Sequence, residues 1–174
     1  MPQSNSMVPF LRGAVHIASA MHYNEYHKLF EAGLRPEELQ VFTLADYGLN
    51  FPEDGLYCHQ RSWRDRPDQC AALVRAVEQG WDYALEHEAE ALDVVMAYCR
   101  RAEVRTSRNH QQWMLRSLAG LIRNRRDGTR ASWGELTPGV YQTVGRELLD
   151  QGLLDAVPPL AEFHQPAQTQ RKGP

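Results

Sequence analysis

The residues best suited to bind a small molecule form one short run, Tyr23, Asn24 and Glu25. Tyrosine offers an aromatic face with a hydroxyl, asparagine can donate and accept, and glutamate accepts hydrogen bonds from an amine, an amidine or an aminopyrimidine. Because the run follows a predicted strand and precedes a predicted helix, it would lie at the crevice beyond the strand ends of an open α/β sheet. The alternative is structural, with Asn24 as a helix N-cap and Glu25 as a favourable acid of the first turn.

A second stretch of similar character includes Asp46, Tyr47 and Asn50. It is dense in turn residues and carries aromatic side chains that a merely solvated linker would not need, so it is a candidate hinge or ligand rim. A plain turn between two strands is the alternative. The candidate ligand-binding residues are therefore Tyr23, Asn24, Glu25, Asp46, Tyr47 and Asn50.

Signals for other chemistry are weak. The three cysteines, Cys58, Cys70 and Cys99, are odd in number and contain no C-x-x-C pair, which favours free thiols over a disulfide framework. His22 and His27 are five residues apart and do not share a helical face, so we expect no metal site. We also expect no catalytic residue, because the common nucleophile and phosphate-loop motifs do not occur. None of these patterns indicates an enzyme.

Strands and helices that could position these residues follow from the apolar pattern. Short strands are predicted at residues 15–21, 39–44 and 56–59, from their β-branched and aromatic content. A helix is predicted from Asn24 to Gly33. An apolar residue recurs every third or fourth position from residue 66 to residue 152, which predicts almost wholly helical structure there, with starts at Pro67 and Thr137-Pro138. The pattern predicts the α/β class, and Trp81, Met96 and Trp113 are expected in the helical core.

Length and charge narrow the range of partners. The 174 residues suffice for one domain or two small lobes, and 43% of them are hydrophobic, which is typical of globular chains. A net charge of −3 gives no positive field for nucleic acid. No apolar run is long enough to span a membrane, and the first residues lack the basic and apolar regions of a secretory signal. The chain as it stands is therefore expected in the cytoplasm.

Several runs of sequence resemble one superfamily, with similarity from about Phe10 to Gly152. The runs are GAVHIASAMHYNEY at 13–26, ADYGLNFPEDGLY at 45–57, RPD at 66–68, ALVRA at 72–76, GWDYA at 80–84 and EALDVV at 90–95. They are similar to the substrate-binding proteins of ABC importers for nitrate, sulfonates, taurine and thiamine-pyrimidine precursors. The eukaryotic thiamine pyrimidine synthases share that fold.

The resemblance is to the C-terminal part of such proteins only, and it implies a partial bilobal, periplasmic-binding-protein-like α/β fold of the second type, with a few short strands before a helix-rich region. Residues 1–50 would form the end of the second lobe and the crossover, residues 51–164 the C-terminal helical part of the first lobe, and residues 165–174 a frayed tail. Tyr23, Asn24 and Glu25 would face the ligand, with Glu25 paired to an exocyclic amine. The stretch from Asp46 to Asn50 would lie on the crossover segment.

For function, the resemblance implies the solute-binding component of an ABC importer, or a truncated remnant of one, without a cofactor. Its partners would be a small organic ligand such as a thiamine-pyrimidine precursor and an ABC permease, in a family that is periplasmic. Two alternatives stay open. One is a thiamine pyrimidine synthase-like enzyme, which would require pyridoxal phosphate and iron. The other is a non-catalytic protein-interaction fragment, and an uncovered lobe face would also favour self-association.

Overall fold

The computed structural model describes residues 6–52, 55–123 and 136–164. Most of this described part is α-helical, in α1 Val8–Leu11, α2 Glu25–Glu31, α3 Gln60–Asp65, α4 Pro67–Glu86, α5 Glu88–Arg101, α6 Arg108–Arg123, α7 Pro138–Asp150 and α8 Leu160–Phe163. Two short 3-10 helices span Pro36–Glu38 and Leu44–Tyr47. Among the helices described, we find none that combines the length and the apolar content needed to cross a bilayer.

The helix-rich region predicted for residues 66–152 is confirmed where the chain is described. Helix α4 begins at Pro67 and α7 at Pro138, in the first turn, where the missing proline N–H costs no hydrogen bond. The Oγ1 atom of Thr137 accepts a hydrogen bond from the Val140 N–H at 3.4 Å and so caps α7. Gly152 follows this helix with a φ of 67°, a left-handed conformation that suits glycine at a helix end.

The strand predictions at residues 15–21, 39–44 and 56–59 are wrong. No strand occurs in the described ranges, and these three segments are irregular except that Leu44 begins a 3-10 helix. Valine and phenylalanine favour extended backbone, but a strand is stable only when a neighbour completes its hydrogen-bond ladder. The described residues supply no such neighbour. The helix-rich part of the expected fold is therefore present, whereas residues 6–52, 55–123 and 136–164 contain no α/β sheet.

The chain divides into two compact units. The first contains residues 1–41 and 81–129, and the second contains residues 42–80 and 130–174. The boundary expected at residue 50 refers to the lobes of a bilobal protein and stays a prediction. The expected frayed tail, residues 165–174, lies outside the described residues.

In the first unit, α6 packs against both α2 and α5. Leu29 of α2 and Leu92 of α5 are buried, and the imidazole of His110 on α6 is buried with them. The expected core residues Trp81, Met96 and Trp113 are half-buried. This small apolar core leaves room for polar side chains in the contact between α2 and α6.

In the second unit, α7 packs against the segment that follows it. Tyr141 is buried, and its hydroxyl donates a hydrogen bond to the carbonyl of Pro158 at 2.8 Å. Gly145 faces Val157 so closely that a Cβ atom added there would lie 2.7 Å from the valine Cγ1. The ring of Phe163 lies 5.1 Å from that of Tyr141, centroid to centroid. The contact between α7 and the segment after it is thus formed mainly by Tyr141, Gly145 and Val157.

The three cysteines are free thiols, with Cys58 exposed and Cys70 and Cys99 half-buried. Partial desolvation, together with a hydrogen bond to Cys58, raises the pKa of the Cys70 thiol above its ordinary value. A raised pKa keeps this thiol protonated near neutral pH, which is typical of an unreactive cysteine.

Candidate functional site

A cluster of two histidines and a glutamate lies between α2 and α6 in the first unit. His27 and Glu31 are four residues apart on α2, a spacing that places both on one helical face. Helix α6 brings His110 to that face, with its Nδ1 atom 3.0 Å from Nδ1 of His27 and 3.7 Å from Oε2 of Glu31. Two imidazoles and a carboxylate therefore converge on one point.

The hydrogen bonds around His110 determine where its proton lies. The Nδ2 group of Asn24 donates to the Glu25 carboxylate at 3.2 Å, so the amide oxygen of Asn24 faces Nε2 of His110 at 3.1 Å. This oxygen can only accept, and Nε2 must therefore carry the hydrogen. Burial, partly opposed by the Glu31 carboxylate, lowers the pKa of His110. The ring is thus neutral near pH 7, and its Nδ1 atom accepts the hydrogen bond that Nδ1–H of His27 donates.

Ser107, immediately before α6, holds the glutamate of the cluster. Its hydroxyl donates to Oε1 of Glu31 at 2.7 Å and accepts from the backbone N–H of His110 at 3.0 Å. The second bond has the geometry of an N-cap, in which a serine oxygen satisfies a free N–H in the first turn of a helix. Because Ser107 occupies Oε1, the other carboxylate oxygen of Glu31 is turned towards His110.

Trp113 of α6 contacts His27 and Phe30 of α2 and the carbonyl of His22, which precedes this helix. Its ring stacks on the imidazole of His27, with centroids 4.7 Å apart and planes inclined by 21°. Its indole Nε1–H donates to the carbonyl of His22 at 3.1 Å, and the ring of Phe30 meets it edge-on at 6.1 Å. Stacking fixes the plane of the His27 ring, so the position of its Nδ1 atom is set by packing.

A cleft of about 400 Å³ opens beside this cluster. Its lining comes from α2 and α6 and consists of His27, Asn109, Gln112, Trp113, Arg116 and Ser117. An aromatic surface surrounded by amide, hydroxyl and guanidinium groups can bind a flat polar molecule, because such a molecule needs an apolar contact and several hydrogen bonds.

Two of the polar groups that line the cleft are held by α5. Arg116 forms a fork-shaped ion pair with Glu88, its Nη2 atom lying 2.8 Å from Oε1 and its Nε atom 3.0 Å from Oε2. Gln112 also donates to this carboxylate. The hydrogen bonds from Arg116, more than that from Gln112, lower the pKa of Glu88. The side chain of Asn109, by contrast, has no hydrogen-bond partner among the described residues, so its amide is available to a ligand.

In the predicted run, Tyr23 and Asn24 directly precede α2 and Glu25 is its first residue. All three residues are half-buried. Asn24 occupies the N-cap position, but its side chain makes no capping hydrogen bond, because the amide bridges Glu25 and His110. The Glu25 carboxylate also accepts from the backbone N–H of Met21 at 3.1 Å. The interpretation of Asn24 as a side-chain cap is therefore wrong. That the run contacts a ligand stays a prediction.

The second predicted stretch belongs to the second unit. Asp46 and Tyr47 lie in the 3-10 helix Leu44–Tyr47, which ends at Gly48 with a φ of 76°. Asp46, Tyr47 and Asn50 are all exposed. Their role at a ligand rim stays a prediction.

The site also contains His110, Glu31 and residues of α6 that line the cleft, none of which was predicted as a site residue from the sequence. One signal was present, since His27 and Glu31 have the i, i+4 spacing of a helical face. No local spacing links either of them to His110, which is 83 residues beyond His27.

Comparison with known proteins identifies the chain through one family model. The model described as NMT1/THI5 like matches residues 1–91. No match was found among curated proteins or among solved structures. The matched segment contains α2 and the Tyr23–Glu25 run, and it confirms the resemblance seen in the sequence motifs. Because the match covers just over half of the 174 residues, the chain belongs to the NMT1/THI5-like family.

Proposed function

We propose that the chain binds a small organic molecule without transforming it, as the solute-binding component of an ABC importer. The proposed ligand is an aminopyrimidine precursor of thiamine, and the proposed receiving partner is an ABC permease. Membership in the NMT1/THI5-like family supports a role in binding or in thiamine-pyrimidine metabolism. The same family would also accommodate a synthase, so the site must distinguish the two.

The cleft between α2 and α6 is the observation that carries the proposal. Its volume of about 400 Å³ lies within the range of roughly 300–1,000 Å³ that is usual for small-molecule sites. Trp113 supplies apolar surface, and the amide of Asn109 can both donate and accept. A pyrimidine ring with an amino group next to a ring nitrogen presents the matching donor and acceptor.

Glu25, at the start of α2, does not line the cleft, but its charge favours an amino-bearing ligand over an anionic one in this part of the first unit. Its carboxylate accepts hydrogen bonds from the Met21 N–H and from the Asn24 amide. An ionised carboxylate has about four acceptor positions, so it retains capacity for a ligand amine. The same negative charge would repel a sulfonate or nitrate. Among the solutes of the resembling importers, an aminopyrimidine therefore suits this residue best.

A thermal unfolding series tests the proposal. The chain is heated alone and with a thiamine-pyrimidine precursor, taurine or nitrate. A ligand that binds only the folded state stabilises it by about 2.7 kcal/mol at a concentration one hundred times its Kd. We expect the aminopyrimidine alone to raise Tm, and dialysis to reverse the increase. Equal Tm values with and without the aminopyrimidine would contradict the proposal.

Mass spectrometry separates the proposal from the synthase alternative. The chain is incubated with pyridoxal phosphate and ferrous iron in air, and its intact mass is then measured. A binding protein keeps its mass, whereas a synthase that consumes its own residue loses the atoms of a histidine ring. Iron-dependent loss of that mass would overturn the binding proposal. A chain that gains no stability from any solute but captures another protein would favour the interaction-fragment alternative.

A further inference from the structure

We propose that His27, Glu31 and His110 form a binding site for a divalent transition-metal ion such as Zn²⁺. Each residue offers one ligand atom, and the three atoms lie within 4.8 Å of one another. Two imidazole nitrogens and one carboxylate oxygen are a ligand set that zinc accepts when a fourth position is left to water or substrate. This site goes beyond the proposed solute binding, which requires no metal.

The spacing of the ligand atoms agrees with zinc coordination. Zinc binds nitrogen and oxygen at about 2.1 Å, so two ligands at the tetrahedral angle lie about 3.4 Å apart. The two Nδ1 atoms are 3.0 Å apart, and the distance from His110 Nδ1 to Glu31 Oε2 is 3.7 Å. These two distances lie on either side of the required one, and no pair of the three ligand atoms is more than 4.8 Å apart.

Two further residues hold the ligands in the orientation that a metal needs. The Nε2–H group of His110 donates to the Asn24 amide oxygen, which leaves Nδ1 as the lone-pair atom facing the cluster. The hydroxyl of Ser107 donates to Oε1 of Glu31 and leaves Oε2 facing the same point. Such outer hydrogen bonds, which fix the tautomer and rotamer of the ligands, are typical of metal sites.

The imidazole of His110 is buried, with a relative exposure of 4%, and both of its ring nitrogens are hydrogen-bonded. Its Nδ1 atom is therefore held at the cluster before an ion binds. On binding, the ion replaces the hydrogen between the two Nδ1 atoms, and the ring of His27 then carries its hydrogen on Nε2.

Calorimetric titration with Zn²⁺ tests the site on the full chain. We expect one equivalent to bind, and we expect Glu31→Gln to bind more than tenfold more weakly, because an amide oxygen is a poor substitute for a carboxylate ligand. Glu31 is partly exposed and its amide analogue keeps the acceptor for Ser107, so this variant should fold normally. The matched control is His22→Gln, which removes another imidazole next to Trp113 and should leave the affinity unchanged.

A second pair of variants tests the positioning role of Asn24. Asn24→Ala removes the acceptor of the His110 Nε2–H group and should weaken Zn²⁺ binding by about 10–100-fold. Asn24→Asp supplies an acceptor again, although it loses the hydrogen bond to Glu25, and should bind Zn²⁺ more tightly than Asn24→Ala. Equal affinity in the alanine and aspartate variants would contradict the positioning role.

The neighbouring thiols of Cys58 and Cys70 are the competing pair of zinc ligands, and a Cys58→Ser/Cys70→Ser variant excludes this pair. We expect this double variant to bind Zn²⁺ as the natural chain does. Absence of binding in the natural chain, equal affinity in Glu31→Gln, or loss of binding only in the cysteine variant would each overturn the proposal. None of these outcomes depends on aminopyrimidine binding, so the metal site and the proposed function fail separately.

Discussion

His27 donates a hydrogen bond from its Nδ1 atom to Nδ1 of His110 across 3.0 Å, although the two residues are 83 positions apart. The contact joins α2, which lies in the segment that matches the family, to α6, which lies beyond it. The cluster and the adjoining cleft both exist because these two helices pack together.

Replacing His110 should test how much the histidine contact stabilises the first unit. In His110→Leu an apolar side chain of similar volume replaces the ring, but the Asn24 oxygen and the His27 Nδ1–H lose their hydrogen-bond partner. We expect the free energy of unfolding to fall by about 1–3 kcal/mol, the cost of unsatisfied groups at a partly buried contact. Urea denaturation provides the measurement. The exposed control His16→Leu should change it by less than about 0.5 kcal/mol, and equal effects would contradict the role of the contact.

Gly145 should tolerate no side chain, because the nearest carbon of Val157 would lie 2.7 Å from a new Cβ atom. Gly145→Ala should therefore destabilise the chain by about 1–3 kcal/mol through overpacking. Gly139 lies on the same helix, where an added Cβ meets no atom within 4 Å. Gly139→Ala should leave Tm unchanged or raise it, since alanine loses less backbone entropy. If both variants melt alike, the close contact with Val157 is absent in solution.

The start of α7 depends on one hydroxyl. Thr137→Ala removes the oxygen that accepts the Val140 N–H and should reduce the free energy of unfolding by about 1 kcal/mol. Thr143, inside the same helix, donates to the carbonyl of Gly139 at an exposed position. Thr143→Ala should therefore have a smaller effect. Chemical denaturation of the two variants compares them, and a larger loss in Thr143→Ala would contradict the capping role.

The ion pair between Glu88 and Arg116 predicts a pH dependence. The pKa of Glu88 is lowered in the folded chain, so its carboxylate binds a proton less readily there than in the unfolded chain. The stabilisation that the ion pair provides is therefore complete above the ordinary glutamate pKa, and it is lost as pH falls through the lower pKa of the folded chain. Glu88→Gln should melt at lower temperature than the natural chain at pH 7, and the difference should shrink below about pH 4. A constant difference across this range would argue against the pair.

A control for that series is Glu86→Gln. Glu86 is exposed near the end of α4 and forms no ion pair with another described residue. Its replacement should change Tm little at either pH. A pH-dependent effect of the same size in this variant would indicate general charge repulsion instead of a specific pair.

The helices could be predicted from sequence because their signals are local. Pro67 and the Thr137-Pro138 pair mark helix starts whose physical basis lies within one turn. The strands could not be predicted in the same way. Residues 15–21 have β-branched side chains, but pairing depends on neighbours elsewhere in the chain, and the described residues contain none.

The candidate site was predictable only in part. Asn24 was correctly placed next to a helix start, yet its amide reaches His110 instead of capping α2, because a long-range acceptor role replaced the local one. The i, i+4 pair of His27 and Glu31 was readable as one face. The pair is recognisable as part of a possible metal site only once His110 of α6 is placed beside it. Nothing in the local sequence pattern determines which helix packs on α2.

The most direct test of the binding proposal is a calorimetric titration of the chain with a thiamine-pyrimidine precursor, comparing Asn109→Ala with Gln142→Ala. Both replace an exposed helical amide, but only Asn109 lines the cleft. We expect Asn109→Ala to weaken binding about tenfold, a loss of about 1.4 kcal/mol, and Gln142→Ala to bind as the natural chain does. Equal affinity in the two variants, or no heat of binding in the natural chain, would contradict it.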